Sequence, residues 1–457
     1  MAVDYLRELP ARPVGARATG AQLRAALGGP LPETGEEAGA VVRALAAGAD
    51  GGLTASAGPR YFGFVIGGSL PASLAADWLT STWDQNAGIF ATSPAAAVVE
   101  EVAAGWLLEL LGLPAGASVG FVTGCQMAHV TALAAARHAL LARAFWNVEE
   151  QGLAGAPPLH VVIGAEAHVT VLRALRLLGL GSRTPTVVAA DAQGRMDPRE
   201  LRAALAARSG PTLICAQAGN INTGSFDPMD EIAELAREHL AWLHVDGAFG
   251  LWAAASPTLR DLTAGAALAD SWATDGHKWL NVPYDSGIVV VADPAAHRAA
   301  MTATAAYLQH DDGRDPLDWV PEFSRRARGF TVYAALRSLG RRGVAALVED
   351  CCRKARAMAS LLRAEPAVEV LNEVVLNQVL VRFLPDAGAG SADALTRAVV
   401  RRVQRDGVCW LGATTWHGMA AMRISVSGWA TSERDVEDSA AAILAAARAE
   451  LAALRRS

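Results

Sequence analysis

Lysine is almost absent from this chain, so the two lysines that remain are informative. Among 457 residues there are 38 arginines but only Lys278 and Lys354. An arginine guanidinium carries surface charge as well as lysine does, yet it stays protonated and cannot form an imine with an aldehyde. Lys354 lies in CCRKARAMASLLRA, an amphipathic pattern typical of a solvated helix face, whereas Lys278 lies in TDGHKWLNVP, which has no helical pattern. Lys278 is therefore the candidate for imine chemistry, with a surface-loop lysine as the alternative.

A carboxylate precedes Lys278 at a spacing that favours one shared site. The apolar run AWLHVD ends in Asp246, and a single further run, SWATD, separates it from His277 and Lys278. Because ligands of open α/β sheets bind beyond the carboxyl ends of the strands, these side chains are expected at one sheet edge. A lysine that holds an aldehyde, and an aspartate that keeps a pyridine nitrogen protonated, would let the ring accept electrons released at Cα. Taken alone, a strand-end aspartate is more often a cap or a structural group.

Two further strand-to-helix turns carry polar groups. SVGFV runs into TGCQMAHVTALAAARH, so Thr123 and Gly124 begin a long helix whose N-terminal N–H groups and dipole suit a phosphate. His168 follows LHVVIG at the start of the next helix. Each feature has an ordinary alternative: a common turn for the first, and a helix cap or core histidine for the second.

Short apolar runs and helical patterns alternate around these residues. Between about residues 95 and 295 the runs are SVGFV, LHVVIG, TVVAA, TLICAQA, AWLHVD, SWATD and GIVVVAD. Such alternation predicts an α/β fold with a mostly parallel sheet covered by helices. The polar stretch 305–330 predicts a mobile functional loop. We divide the chain into an N-terminal arm with helices over 1–90, a large domain over 91–330 and a smaller C-terminal α+β domain over 331–457. The strands expected in the last domain are VEVLNEV, QVLVRFL and MRISVSGW.

Composition argues against several other classes of protein. A net charge of -6 argues against a protein that binds nucleic acid, and the longest apolar runs are too short to span a membrane. The start, MAVDYLRELPARPVGA, lacks the basic head and apolar stretch of a secretory signal, which predicts a cytoplasmic protein. The five cysteines are odd in number and form no C-x-x-C pair, so neither disulfides nor a metal site is expected.

Six segments together resemble a known family. They are, in order, EAHVTVLRALRLLGLG, GNINTGSFDP, HVDGAFG, DGHKWLNVPYDSG, YLQHDD and SRRARG. In this order and spacing they resemble the group II pyridoxal-phosphate-dependent amino-acid decarboxylases, which include aromatic-amino-acid and glutamate decarboxylases. The resemblance covers about residues 55–435. It implies the fold-type-I architecture of pyridoxal-phosphate (PLP) dependent transferases, with a seven-stranded sheet in the large domain, and a homodimer with active sites at the subunit interface.

The resemblance also implies roles for individual residues. Lys278 matches the lysine that forms the Schiff base with PLP, and Asp246 matches the partner of the pyridine nitrogen. Ala248 matches the small residue that packs on the ring, and His168 the histidine that stacks on its other face and orients the substrate carboxylate. Tyr307, in YLQHDD, matches the loop tyrosine that protonates Cα. The remaining matches are Gly124, Cys125, Gln126 and His277 near the phosphate, Asn220 in the cofactor site, and Phe64, Ile66 and Gly67 near the substrate side chain.

The expected activity is decarboxylation of an L-amino acid to the amine and CO2. An apolar lining at residues 64–67 favours an aromatic or bulky apolar substrate. Tyr307 favours plain decarboxylation, because related aldehyde synthases carry phenylalanine there. Gln126 and Asn220 depart from the family pattern, and Arg423 resembles the carboxylate-binding arginine of aminotransferases. An aminotransferase or an aldehyde synthase on the same scaffold is therefore the alternative, and a non-catalytic relative is disfavoured by the intact set of site residues.

Overall fold

The computed structural model describes residues 1–303, 305, 313–387 and 390–456, and this part of the chain forms two compact units. The larger unit consists of Gly67–Ala355 and Asn372–Gln378. The smaller unit consists of Met1–Ile66, Arg356–Leu371 and Val379–Ser457, so it combines both ends of the chain. The three-part division at residues 90 and 330 stays a prediction.

A seven-stranded sheet forms the centre of the larger unit. Its strands are β1 (Ser118–Val122), β2 (His160–Gly164), β3 (Thr186–Val188), β4 (Thr212–Gln217), β5 (Trp242–Asp246), β6 (Ser271–Asp275) and β7 (Gly287–Val291). Their spatial order is β1-β7-β6-β5-β4-β2-β3. Strand β7 is antiparallel to both of its neighbours, and the other pairs are parallel. All seven apolar runs are strands, which confirms the predicted mostly parallel sheet.

Helices cover this sheet. They are α4 (Pro71–Trp83), α5 (Pro94–Leu110), α6 (Cys125–Arg143), α7 (Val148–Gln151), α8 (Val169–Leu177), α9 (Pro198–Ala206), α10 (Met229–Glu238), α11 (Pro294–Met301) and α12 (Gly329–Arg363), which continues beyond the unit. Twelve of the 19 residues of α6 are buried, as expected of a helix that is apolar on most of its circumference. Gly340 interrupts α12 with a φ of 61° and a ψ of 175°. Among the described residues, no helix has both the length and the apolar character needed to cross a membrane.

The strand directions bring several chain segments to one edge of the sheet. Because β1 and β6 are both antiparallel to β7, β1 points the same way as the parallel strands. The carboxyl ends of β1, β2, β4, β5 and β6 therefore meet at one edge. Thr123, Gln217, Asp246 and Asp275 lie at or directly after these strand ends. This edge is where an open α/β sheet binds its ligand.

The smaller unit is built on a four-stranded sheet in the order β10-β11-β9-β8. Its elements are α1 (Ala2–Glu8), α2 (Gly20–Leu27), α3 (Ala38–Ala49), β8 (Val368–Val370), β9 (Gln378–Phe383), α13 (Ala392–Asp406), β10 (Gly412–Trp416), β11 (Met419–Ser425) and α14 (Glu433–Leu454). Three of its strands were predicted, but β10 was not, because GATTW has no apolar alternation. Strands β10 and β11 form a hairpin through His417 and Gly418, whose φ values of 46° and 78° suit a two-residue turn.

Candidate active site

A cavity of about 350 Å³ lies at the carboxyl edge of the large sheet. It brings together the strand-end and turn residues on which the sequence analysis depends. Lys278, Asp246, His168 and Ala248 all line it, and so does the N-terminus of α6. The remaining lining residues are Thr123, Gly124, Cys125, Gln126, Thr170, Gln217, Gly219, Ile221, Phe249, Asp275, His277 and Tyr284. The residues predicted from separate motifs are thus neighbours in space.

Asp246 is a buried carboxylate at the end of β5, with 4% of its surface exposed. Its Oδ1 accepts a hydrogen bond from the Ala248 N–H at 3.1 Å, and its Oδ2 lies 3.5 Å from His129 Nε2. Burial by itself would raise the pKa of Asp246, but the interactions with His129, His168 and Lys278 outweigh burial and hold that pKa well below its usual range. Asp246 is therefore ionised at neutral pH.

Lys278 lies in the turn that follows β6, and its side chain is 17% exposed. Its Nζ is 3.1 Å from Asp275 Oδ2. Burial acts to lower the pKa of Lys278, but the carboxylates of Asp275 and Asp246 outweigh it, so the pKa lies above its usual value. The amine is therefore protonated at neutral pH and must lose a proton before it can attack an aldehyde.

The other lysine, Lys354, was predicted on a solvated face, but this was wrong: it is 6% exposed and paired with Asp350.

Asp275 is a site residue that the sequence analysis missed. It is 2% exposed and joins two parts of the site. Its Oδ1 accepts a hydrogen bond from the Cys125 N–H at 2.7 Å and lies 3.5 Å from His277 Nε2, while Oδ2 contacts Lys278. The available signal was its position, because Asp275 ends the run SWATD just as Asp246 ends AWLHVD.

His168 precedes α8 as its N-cap residue. Its Nδ1 is 2.7 Å from Thr170 Oγ1, and the Thr170 N–H also donates to Nδ1 at 3.4 Å. Both contacts involve one ring nitrogen, so the cap fixes the orientation of the imidazole while the ring lines the cavity. The helix-cap alternative is therefore correct for His168 and does not exclude its predicted position in the site.

The predicted phosphate end of the cavity is formed by the first turn of α6. A Cβ at Gly124 would lie 2.9 Å from His277 Cε1, so the backbone approaches the histidine as only glycine allows. Gln126 Nε2 donates to the Thr170 carbonyl at 3.2 Å. His277 Nδ1 accepts from the Ser286 N–H at 3.0 Å, and burial lowers the pKa of this histidine. His277 is thus a neutral ring held against the helix N-terminus.

Asn220 does not line this cavity, although it is buried. Its Oδ1 accepts hydrogen bonds from the Asn222 and Thr223 N–H groups at 2.8 and 3.2 Å, and its Nδ2 donates to Gln217 Oε1 at 3.3 Å. These bonds stabilise the turn after β4. The assignment of Asn220 to the cofactor site stays a prediction.

The three residues predicted near the substrate side chain are divided between the two units. In the smaller unit, Phe64 is 58% exposed, its ring centroid is 5.6 Å from that of Trp410, and Arg423 Cζ lies 6.0 Å from the Phe64 ring. Ile66 belongs to the same segment. In the larger unit, a Cβ at Gly67 would lie 2.2 Å from the Lys278 carbonyl oxygen, so only glycine fits against the lysine turn. Tyr307 lies outside the described residues.

One cluster within the described ranges has the composition of a metal site, although none was predicted. Cys125, His129 and Asp246 each offer a ligand atom, and these atoms lie within 4.8 Å of one another. Burial first, and then the charges of Asp275 and Asp246, raise the pKa of the Cys125 thiol well above its usual value. A protonated thiol is a poor metal ligand, so the chemistry of this donor set does not favour a metal.

A mostly parallel seven-stranded sheet, with an amine and a carboxylate at its carboxyl edge, defines the fold-type-I class of PLP-dependent enzymes. The crystal structure of Oryza sativa TDC with PLP and tryptamine has this fold, with a TM-score of 0.91 and 24% sequence identity over 98% of this chain and 96% of that one. The pyridoxal-dependent decarboxylase conserved domain matches residues 22–384. The chain therefore belongs to the pyridoxal-dependent decarboxylase family.

Curated relatives agree on the reaction and differ in substrate. Tryptophan decarboxylase 1 of Oryza sativa subsp. japonica is 28% identical over 84% of this chain and 79% of its own length. L-2,4-diaminobutyrate decarboxylase of Rhizobium meliloti (strain 1021) is 29% identical over 78% of this chain and 71% of its own length. The protein is a PLP-dependent carboxy-lyase that acts on an amino acid.

The residues of the cavity fit PLP. Lys278 offers an amine for the aldehyde, and Asp246 offers an ionised carboxylate for the ring nitrogen. The N-terminus of α6 lines the cavity, and its backbone N–H groups favour a phosphate. One of these donors, the Cys125 N–H, is already used by Asp275, so the phosphate contacts would come from the neighbouring groups.

We predict that Asp275→Asn makes Lys278 more reactive in the cofactor-free protein. Asparagine keeps the size of the side chain and an acceptor for the Cys125 N–H but removes the charge that stabilises the ammonium group. An opposite charge at this distance shifts a pKa by about 1 to 3 units, so reductive methylation of Lys278 near pH 8 should become about tenfold faster or more. Peptide mass spectrometry would measure the rate. Lys354 provides the internal reference, and an unchanged Lys278 rate would contradict the electrostatic role of Asp275.

Proposed function

We propose that this enzyme decarboxylates an aromatic or bulky apolar L-amino acid to the amine and CO2, with Lys278 and Asp246 as the residues that hold its cofactor. The observation that carries these roles is that Lys278, Asp246, His168 and the N-terminus of α6 line one cavity of about 350 Å³. When bound, PLP supplies a sink for the electron pair released as a bond at Cα breaks.

Lys278 and Asp246 have different functions, one toward the aldehyde of the cofactor and the other toward its ring nitrogen. Lys278 Nζ would hold the aldehyde group of the cofactor, and Asp275 Oδ2, which lies 3.1 Å from Nζ, would bind the amine whenever it is free. Asp246 remains ionised and so would keep the pyridine nitrogen of the cofactor protonated, while the Ala248 N–H fixes the orientation of its carboxylate. Both functions need a buried site, since water would weaken the electrostatic interactions on which they depend.

His168 and Ala248 shape the space beside the ring. Thr170 holds the His168 imidazole through Nδ1, which orients the ring for contact with the substrate carboxylate. The methyl side chain of Ala248 leaves room on the other face. These contacts would orient the substrate carboxylate relative to the ring and so select the bond at Cα that breaks. Tyr307 remains our candidate for the group that returns a proton to Cα.

The substrate preference rests on the aromatic surroundings of Phe64. Tyr61 stacks on Trp410 with a centroid distance of 5.0 Å, and Trp410 packs in turn against the exposed Phe64 ring. A surface of this kind contacts an aromatic or apolar side chain better than a charged one. The similarity to tryptophan decarboxylase agrees with this preference, and the similarity to diaminobutyrate decarboxylase argues for the opposite one.

Arg423 supports a second candidate reaction, transamination. Burial lowers the pKa of its guanidinium, and no carboxylate among the described residues offsets that effect. A half-buried cation beside Phe64 can bind the carboxylate that an aminotransferase retains. The products separate the two reactions, because decarboxylation releases CO2 whereas transamination yields a keto acid.

We also propose that the protein works as a homodimer. Helices α1, α2 and α3 have no buried residue. Within α3, Val41, Val42 and Leu45 are 47%, 52% and 59% exposed, which is unusual for apolar side chains of a monomer. A second copy of the chain would cover this face, and the active sites would lie at the interface.

The cytoplasmic location also stays a proposal, supported by five buried cysteines that form no disulfide.

Replacing Lys278 with arginine should abolish the visible absorption band of the PLP-loaded protein and the release of CO2. Arginine keeps the positive charge but cannot form an imine, so activity should fall by about three orders of magnitude or more. Lys354→Arg is the matched control and should retain both properties. A band and CO2 release that survive in Lys278→Arg would refute the assigned role.

Phe64→Ala should lower kcat/KM for aromatic substrates by about tenfold or more, because the lost ring contributes apolar contact. A panel of tryptophan, tyrosine, glutamate and 2,4-diaminobutyrate, assayed for CO2, would measure the preference. Phe145→Ala is the control, since Phe145 is also exposed and also has a positive φ. Highest activity on glutamate or diaminobutyrate, undiminished by Phe64→Ala, would contradict the proposed substrate class.

The double variant Val42→Glu/Leu45→Glu should raise the dimer dissociation constant by about tenfold or more, because two charges replace buried apolar contacts. Light scattering over a dilution series would report the mass. Leu240→Glu alters a residue that is 79% exposed outside these helices and should leave the dimer intact. A wild-type protein that is monomeric at micromolar concentration would refute the proposal.

A further inference from the structure

A chain of buried polar groups lies behind Asp246, on the side of the sheet covered by α6. Trp242, His244 and Asp246 alternate along β5, so their side chains share one face of the strand. Ser271 is the register partner of His244 on β6. His129 comes from α6, which packs on the same face. His129, His244 and Ser271 are each 0% exposed, and none of them lines the cavity.

These groups contact one another in sequence from Trp242 to Asp246. Trp242 Nε1 donates to Ser271 Oγ at 2.9 Å, and Ser271 Oγ is 2.9 Å from His244 Nδ1. His244 Nε2 is 2.9 Å from His129 Nδ1. His129 Nε2 then faces Asp246 Oδ2 at 3.5 Å, a contact that is electrostatic rather than a hydrogen bond.

The hydrogen-bond chemistry of the two rings determines what His129 presents to Asp246. If both rings are neutral, Ser271 donates to His244 Nδ1, His244 Nε2–H donates to His129 Nδ1, and the proton of His129 is on Nε2. If His129 is protonated, it donates through Nδ1 to His244 and again carries a proton on Nε2. The remaining arrangement would direct a nitrogen lone pair at a buried carboxylate, which is repulsive. His129 therefore presents an N–H to Asp246.

We propose that His129, held by His244 and Ser271, is a positioning residue that keeps Asp246 anionic and so strengthens its pairing with the ring nitrogen of the cofactor. This inference rests on the proposed role of Asp246. The other two side chains that lower the pKa of Asp246 are His168 and Lys278, and both line the cavity. His129 is the one among these three that a bound cofactor does not contact directly, so its effect is transmitted through the carboxylate.

The desolvation of His244 supports this arrangement. Burial first, and then the neighbouring His129, lower the pKa of His244 to about 3, so its ring is neutral near pH 7. A neutral imidazole has one donor and one acceptor, and both are used, at Ser271 and at His129. Rotation of either ring would leave a buried nitrogen unpaired, which makes the orientation of His129 well defined.

The test compares PLP with its carbocyclic analogue, in which a C–H group replaces the ring nitrogen. Titration of the cofactor-free protein, followed by quenching of its tryptophan fluorescence, measures the affinity for each ligand. His129→Phe should weaken PLP binding by about 10- to 100-fold, as expected for the loss of a buried interaction with a charged group, and should leave the analogue unchanged. His129→Gln, which retains an N–H donor, should restore most of the affinity for PLP.

Three further variants make the result decisive. Ser271→Ala is a milder change that should weaken PLP binding less than His129→Phe does, again without an effect on the analogue, and it serves if His129→Phe does not fold. His297→Phe is the matched control, because His297 is also 0% exposed and bonded to a serine, Ser118, at 2.8 Å, and it should affect neither ligand. Asp246→Asn measures the pairing itself and should weaken PLP selectively.

Equal weakening of PLP and the analogue by His129→Phe and Ser271→Ala would show a packing role and overturn the inference. So would unchanged affinity for both ligands while Asp246→Asn remains selective for PLP. If Asp246→Asn itself fails to discriminate between the two ligands, the proposed role of Asp246 is wrong, and the positioning role of His129 falls with it. The Asp246→Asn result therefore separates a failure of the proposed function from a failure of this inference.

Discussion

The burial of a negative charge at Asp246 is the constraint on which the site depends. Removing a carboxylate from water costs several kcal/mol, and an unpaired one would take up a proton instead. Here the neighbouring His129, His168 and Lys278 outweigh the cost, and the Ala248 N–H binds the second oxygen. The charge is therefore present before a cofactor arrives. Such preorganisation avoids reorganising the protein during the reaction.

The sheet explains how residues far apart in the chain surround this charge. Parallel strands point their carboxyl ends in one direction, so Asp246 and Asp275 meet at one edge although 28 residues separate them. Close approach of the backbone completes the site. A Cβ at Gly287 would lie 2.3 Å from Gly124 Cα, so the first residue of β7 and the N-terminus of α6 touch through glycine. Asp275 then links that helix to the lysine turn.

Polar residues inside apolar runs were the hardest to interpret from the sequence. His244 and Asp275 lie in short runs that predict buried strands, and His129 lies in the second turn of an apolar helix. A buried polar residue needs a partner, but its partner is on another strand or helix, and no local pattern identifies it. Lys354 was misjudged for a different reason, because an amphipathic pattern does not show how deeply each side chain of the helix is buried. Conversely, Asn220 has a suggestive position, yet its side chain serves a local turn.

The sequence by itself determined the seven strands of the large sheet, the lysine and aspartate at its edge, and the family of the chain. These are local or ordered features: apolar runs of strand length, a single lysine outside a helical pattern, and motifs in a characteristic order. The tertiary structure alone decided which charges act on each other. The hydrogen bond from the Cys125 N–H to Asp275, the contact between His129 and Asp246, and the bond from His129 to His244 depend on strand register and on how α6 packs across the sheet. Electrostatic interactions act over a few ångströms in space, and the distance between two residues along the chain does not reveal them.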